Sequence, residues 1–499
     1  MGLFQEVFRQ YCGQKENRNI LNEKIISDIV PKWLKIKVDS GGFKMAREND
    51  LGNDPITGLV LKLAIPTMVA QFVNMLYSII DRIYIGNIPV EGSVALAGVG
   101  VCGPIVTLLS SFGTLIGLGG SILMAMRMGE GNMKRAKQIL SNSFITLVAL
   151  SVILTVFFLL MKDKLLMWFG ASETTFVYAD TYMTIYTAGT FFALMALGLN
   201  YFITCQGFST IGMATVLIGA VANIVLDPIF IFVFDMGVAG AAIATVIAQI
   251  LSCAFAVGFL FSKRPPVRIS FGGYSPDIII RIAAIGLSPF LILASDSVIM
   301  IIMNTVLQRT GGAQADTLIA AATIVNSYMS LVTGPMGGIS GGTQAIISFN
   351  YGAGKTDRVR EAEKKILLMC VIFTVIMFTV SRFSAEAFAR IFVSGADEIE
   401  LAGWGIRTFT LAIIPLAFQY SLVDGLTAMG RTKTALFLSM FRKISYAVLI
   451  VVFAYAFGAR NAFYSEPVMD LIGGIMSTTI FMLVFEKHMR SRAQRTEAI

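Results

Sequence analysis

The chain has 499 residues, 56% of them hydrophobic and only 14% charged, with 39 Lys and Arg against 31 Asp and Glu for a formal charge of +8. Soluble domains carry about a quarter charged residues, so an ordinary soluble protein is excluded and a membrane protein is indicated. A single histidine, His488, and five scattered cysteines (Cys12, Cys102, Cys205, Cys253 and Cys370) with no CxxC pair leave neither a His-based catalytic or metal site nor a disulfide framework.

In chain order, residues 1–55 form a polar, basic extension without the pattern of a secretory peptide. Within it, "IISDIVPKWLKIKV" has the weak apolar spacing of a segment that could lie on a membrane surface, and a disordered tail is the alternative. Twelve apolar blocks follow, at 58–86, 93–126, 138–161, 177–202, 211–233, 238–262, 278–306, 317–349, 365–389, 403–428, 435–458 and 467–486. The uncharged runs Gln138–Met161 and Met236–Ser262 are each long enough to cross about 30 Å of hydrocarbon as a helix. The expected division is the extension 1–55, an N-terminal six-helix lobe over 56–265, a linker at 266–277, a second six-helix lobe over 278–487 and a tail at 488–499. Lys and Arg crowd into alternate returns, at 127–137, 263–281, 355–365 and 431–433, and into the tail after Phe485. That bias places both termini in the cytoplasm and accounts for the net charge as topology, with no implication of nucleic acid.

The chain also repeats itself. A shift of 223 residues brings Pro66 onto Pro289, Gly119 onto Gly342, and "MGEGNMKRAK" onto "YGAGKTDRVR". Farther along, a relaxed shift of 218 pairs Gly207 with Gly425 and Gly212 with Gly430. The fold class expected is therefore an all-α polytopic membrane protein: twelve transmembrane helices in two parallel six-helix repeats, related by a pseudo-twofold axis along the membrane normal. Such a pair of bundles can enclose a central cavity and rock to open it to alternate faces. Gly337, Gly338, Gly341 and Gly342, beside Pro335, are expected to serve packing, and some of them bending.

Polar residues inside apolar runs carry the functional signal. No charged residue separates Asp180 from Asp227, and Asn223 lies four residues before Asp227, on the same helical face. Pro228 removes a backbone donor and favours a bend beside the acid. A carboxylate at the bilayer centre costs about 2.5–3.5 kcal/mol even on insertion scales, so Asp227 should face the lobe interior. Asp81, followed by Arg82, comes at a matching depth in the first span, with Tyr77 and Asn74 one and two turns before it; a local Asp–Arg pair is the competing reading. In the 223-residue register Asp81 opposes Asn304. Gln71, Asn200, Tyr201, Gln206, Asp296, Gln344 and Gln419 are further candidates to line a cavity or a substrate, and Asp424 and Asn350 lie near span ends.

The ordered set "YSIIDRIYIGN", "ALAGVG", "GLGGSILMAMRMGEGN", "NIVLDPIFIFVFDMGVAGAAIATVIAQ" and "GPMGGISGGTQAIISFNYGAGKTDRV" resembles the multidrug and toxic compound extrusion (MATE) family, on its bacterial DinF-like and MepA-like branch, from about Gly58 to Lys487. The resemblance implies a secondary antiporter of the bacterial plasma membrane. It would export lipophilic organic cations in exchange for inward protons or sodium, with no cofactor beyond the transported ion, and with lipid as its surroundings. By residue match, Asp81, Asn223 and Asp227 would form the ion-coupling site, where sodium could also bind. The chain is expected to act as a monomer and not as an enzyme. A flippase for lipid-linked precursors and a non-transporting receptor or scaffold are the alternatives; the first needs several cavity Lys or Arg to meet pyrophosphate.

Overall fold

The computed structural model describes residues 49–497, apart from Val90 and Ser394. The surface-segment reading of the N-terminal extension falls outside the described residues. Among the described residues eleven helices are long and apolar enough to span a membrane, and a twelfth span is a bent pair. The first lobe comprises α1 (Ile56–Gly86), α2 (Gly92–Gly129), α3 (Met133–Trp168), the pair α4 (Glu173–Ala188) and α5 (Thr190–Thr204), α6 (Ser209–Pro228) and α7 (Gly237–Phe261). The second comprises α8 (Pro276–Thr310), α9 (Ala315–Gly352), α10 (Thr356–Ala389), the pair α11 (Ala396–Phe409) and α12 (Ile413–Ala428), α13 (Thr432–Phe457) and α14 (Ser465–Glu497). Every expected apolar block is helical.

Local chemistry sets the ends. Asn132 caps α3 by accepting from the Arg135 N–H at 3.0 Å, and Ser172 with Thr175 forms a capping box at α4. The fourth span breaks by 57° between Ala188 and Thr190. A Cβ at Gly189 would sit 2.5 Å from the Val246 side chain, so glycine lets α7 press into the break. Past Pro228 the helix relaxes into a π turn over Ile229–Val233, the local distortion expected where a proline removes a donor.

The repeat is more regular than glycine matching suggests. The starts of α2 and α9, α3 and α10, α4 and α11, α5 and α12, and α6 and α13 are each 223 residues apart. The 218-residue shift is therefore corrected: Gly207 matches Gly430, both at left-handed turns with φ of 90° and 72°. Gly425 and Gly212 are helical and serve packing. In a glycine-rich chain identity alone misaligns; the demand for positive φ does not.

The two lobes exchange equivalent contacts, α1 with α9 and α8 with α2, while α2 and α9 meet each other. The lobes also meet tightly at the end bearing the basic returns. There a Cβ on Gly129 would lie 2.0 Å from the Phe349 carbonyl oxygen, and one on Gly352 would lie 2.1 Å from that of Met126. These contacts are images of each other, because 349 and 126 also differ by 223. Gly286 packs the same way on the Leu115 carbonyl, and Gly338 and Gly342 pack on Thr67; together with Gly337 and Gly341 they also line the cavity between the lobes. Buried apolar residues agree: one cluster runs through the second lobe and the basic half of the first, and the far half of the first lobe has a cluster of its own.

A short segment ahead of α1 closes this end further. Asn350 donates to the Leu51 carbonyl at 2.8 Å, Arg358 to that of Asp54 at 2.7 Å, and Lys355 to that of Gly52 at 2.9 Å, while Asn49 reaches Gly207 of the first lobe at 2.9 Å. The Asn53 side chain and the N–H groups of Gly52 and Asn53 hold the Asp50 carboxyl below its usual range. The segment ahead of α8 uses the opposite hairpin in the same manner: Asn142 accepts from Ser275 N–H at 2.9 Å and donates to Gly273 at 3.2 Å. Gly129→Leu should force this end apart. In a chain keeping only Cys205, which is buried in the cavity wall, the substitution should speed maleimide alkylation several-fold; an unchanged rate would show that the glycine contact does not hold the end closed.

Exposed aliphatic stripes complete the arrangement. Val152, Ile153, Val156, Phe157 and Leu160 on α3 and Leu368, Ile372, Val375 and Ile376 on α10 face outward with no protein cover, as helices in hydrocarbon do.

Candidate functional site

In the first lobe, the apolar run of α6 delivers Asn223 and Asp227 to the bundle interior, where they are 1% and 0% exposed. The Asn223 amide donates to Asp227 Oδ1 at 3.0 Å and also lies 3.3 Å from the Thr245 hydroxyl of α7. The Asp81 carboxyl of α1 comes within hydrogen-bonding reach of Asp227. Arg82 acts on Asp81 only through space, and no salt bridge joins them among the described residues. Around the two acids stand Tyr77, Tyr182 and Tyr186, the last two stacked at 6.0 Å, with Gln249 and Ser110 beside Tyr186.

This cluster is short of hydrogen. Asp81 Oδ1, Asp227 Oδ2, Asn223 Oδ1 and Gln249 Oε1 are buried acceptors without a donor. Two facing carboxylates cannot hydrogen-bond until one carries a proton, and unpartnered buried acceptors cost about 1–3 kcal/mol each. The arrangement therefore has room and demand for a positive guest, either a proton shared by the acids or a small cation among the oxygens. Among the described residues no group of three His, Cys, Asp or Glu side chains gathers to hold a metal.

Between the lobes lies a cavity of about 280 Å³ lined by both. The first lobe contributes neutral groups, including Gln71, Asn200 and Tyr201; the second contributes Gln344, Gln419 and Tyr420 together with Asp424, Arg442 and Lys443. Five of the sequence candidates thus share one wall. Asn74, Tyr77, Asp296 and Asn304 are outside the lining. Gln206 is occupied elsewhere, accepting from the Val267 N–H at 2.8 Å and donating to the Phe202 carbonyl at 2.9 Å, so it anchors the inter-lobe linker.

The sequence candidates Asp296 and Asp424 do not converge. Asp296 pairs with Lys443, whereas Asp424 accepts from Ser340 at 2.6 Å, close to Gln344. Arg442, 7% exposed, bridges Glu466 and Asp470 of α14, each at 2.6 Å. In the corrected register Tyr446 stands where the first lobe has Asn223, and it lies beside Glu466. The Asp81–Asp227 site thus has no basic partner, while the equivalent region of the other lobe is built around Arg442, with Asp470 Oδ2 left unpartnered. Sequence reasoning missed Thr245 and Gln249, although they lie four residues apart in an uncharged run, and it missed the Arg442 network because its charges looked like span ends.

Two six-helix bundles around a shared cavity, with unpaired carboxyls inside one of them, define a polytopic secondary transporter. The model of the MatE family matches residues 66–229 and again 289–456, with starts 223 residues apart. The chain belongs to the MatE family and is a transporter, not an enzyme. The multidrug export protein MepA of Staphylococcus aureus (strain MSSA476) is 21% identical over 436 residues, spanning 87% of this chain and 95% of that protein; its counterpart from Staphylococcus saprophyticus is 21% identical over 440 residues, or 88% and 96%. Among solved structures, one described as the outward-facing conformation of a multidrug resistance MATE family transporter of the MOP superfamily aligns with a TM-score of 0.83 at 23% identity, over 90% of this chain and all of that one. A MOP superfamily transporter from Pyrococcus furiosus, described as having a binding pocket of reverse polarity that suggests a different function, aligns at 0.83 and 23% identity over 89% and 99%.

Proposed function

We propose that this chain exports amphipathic organic cations across a bacterial plasma membrane, driven by inward protons or sodium that load Asp81, Asn223 and Asp227. The observation that carries the reading is the set of donor-less oxygens on those three residues, with no Lys or Arg in salt-bridge contact with either acid among the described residues. Loading the site removes charge and changes how the lobe interior packs, and rocking of the lobes can follow. With both termini cytoplasmic, as the basic returns favour, the glycine-packed end faces the cytoplasm. The likeness to multidrug export proteins supports the substrate class. Reconstitution into vesicles loaded with a fluorescent lipophilic cation, followed by an imposed proton or sodium gradient, tests the proposal; gradient-dependent dye movement is expected, and its absence with every such dye would reject it.

The cavity lining bears on the flippase alternative. Its two cations are already engaged, Lys443 with Asp296 and Arg442 with Glu466 and Asp470. A pyrophosphate would have to break those pairs to find a positive partner, so a cationic substrate is favoured.

A further inference from the structure

A second pair of carboxyls, one buried and one half-buried, lies on α10 and α12 of the other lobe. Glu363 is two turns into α10, in the charged turn "DRVREAEKK", and would pass in sequence for a solvated residue. It is 4% exposed. Its Oε1 accepts from the Ser421 hydroxyl at 3.3 Å, and its Oε2 has no donor at all. One turn beyond Ser421, Gly425 makes the space: a Cβ there would sit 2.4 Å from Glu363 Oε2. Asp424, the neighbour of Gly425, is the charged group that acts on Glu363, and its own carboxyl lines the central cavity while accepting from Ser340 of α9.

The surroundings are neutral. Ser340 and Gln344 come from α9, Ser421 from α12 and Cys370 from α10, and Tyr201 acts on Asp424 from the first lobe. Among the described residues no Lys or Arg pairs with either acid. Glu466 and Asp470 of the same lobe have Arg442 instead. The repeat removes a purely structural need for an acid at this point, because the first-lobe equivalent of Glu363 is Leu140, fully buried in the core. An isolated buried carboxylate is expensive, and a pair without a cation more so. Among the described residues no third His, Cys, Asp or Glu joins the two carboxyls to hold a metal ion. One proton suffices to neutralise an acid and to turn its oxygen into a donor.

We propose that Glu363 and Asp424 form a second proton-binding site, loaded from the central cavity through Asp424. The proposal rests on the ion-driven reading above and adds to the exporter a titrating group in the lobe that lacks the Asp81–Asp227 pair. Proton uptake involves no bond change other than transfer of a proton from cavity water to a carboxylate oxygen.

Infrared difference spectra of the full chain in lipid, between acid and alkaline buffer, test this without a substrate. Besides any band of the Asp81–Asp227 pair, a carboxylic-acid C=O stretching band should appear on acidification, vanish in Glu363→Gln, shift in Asp424→Asn and persist in Asp227→Asn. A Glu363→Gln spectrum identical to the parent's, a band present unchanged at every pH, or a band that answers to sodium at fixed pH would each overturn the proposal. If Glu363→Gln does not fold, a band unmoved by Asp424→Asn overturns it in the same way. Failure of dye transport in vesicles would reject the exporter reading and leave this band where it is.

Discussion

Arg442→Met is expected to destabilise the second lobe by about 3–5 kcal/mol, the usual consequence of removing one partner of a buried ion pair. The guanidinium is 7% exposed and holds Asp470 through Nε at 3.2 Å and Nη2 at 2.6 Å, and Glu466 through Nη2 at 2.6 Å. Methionine keeps much of the stem but leaves two carboxylates facing each other, and Asp470 Oδ2 has no donor even in the parent. The expected readout is a sharp fall in apparent melting temperature in detergent, largely restored when Glu466→Gln and Asp470→Asn are added. A variant that melts with the parent would mean that the network is hydrated and worth little. The rescue matters because it separates charge imbalance from loss of packing.

Asp227→Asn is expected to leave abundance and melting close to the parent's while reducing gradient-driven dye export at least about tenfold, equivalent to about 1.4 kcal/mol of coupling energy. The new amide oxygen can still accept from Asn223, so the hydrogen bond at 3.0 Å survives the change. What disappears is the ability to hold or release a proton opposite Asp81. Residual export should also lose its response to external pH, because a major titrating partner is gone. Export that keeps the parent's rate and pH profile would remove Asp227 from the coupling step. Asn223→Ala should retain dye binding and lose the ion-dependent component, which distinguishes coordination from cavity packing.

The two variants show how unevenly the site can be read. Asp227 is legible because a lone acid in an uncharged run is costly in a membrane, and Asn223 follows from helical periodicity. Asp81 is legible by depth, although the structure was needed to choose its partner, the carboxyl of Asp227 over the adjacent Arg82. Glu363 gives no such signal. Four of the ten residues beginning at Thr356 are basic, and only packing of α10 against α12 shows that this acid turns inward while Glu361 and Lys364 are exposed. Gln206 errs the other way: an amide near a span end reads as a cavity group, but it secures the Val267 backbone.

The sequence by itself determined the membrane class, the twelve apolar spans and the two-copy organisation, because each follows from the run length needed to cross hydrocarbon or from residue identities at a constant spacing. It also marked Asn223 and Asp227 as a pair, since four residues make one helical turn. The tertiary structure decided which acids meet, which charges cancel and which end of the molecule the glycines draw shut. Those outcomes depend on side chains separated by up to a few hundred residues and brought together only by the packing of α1 on α6, α9 on α1 and α13 on α14. No local pattern encodes that Asp81 reaches Asp227, that Arg442 neutralises α14, or that the space above Gly425 belongs to Glu363.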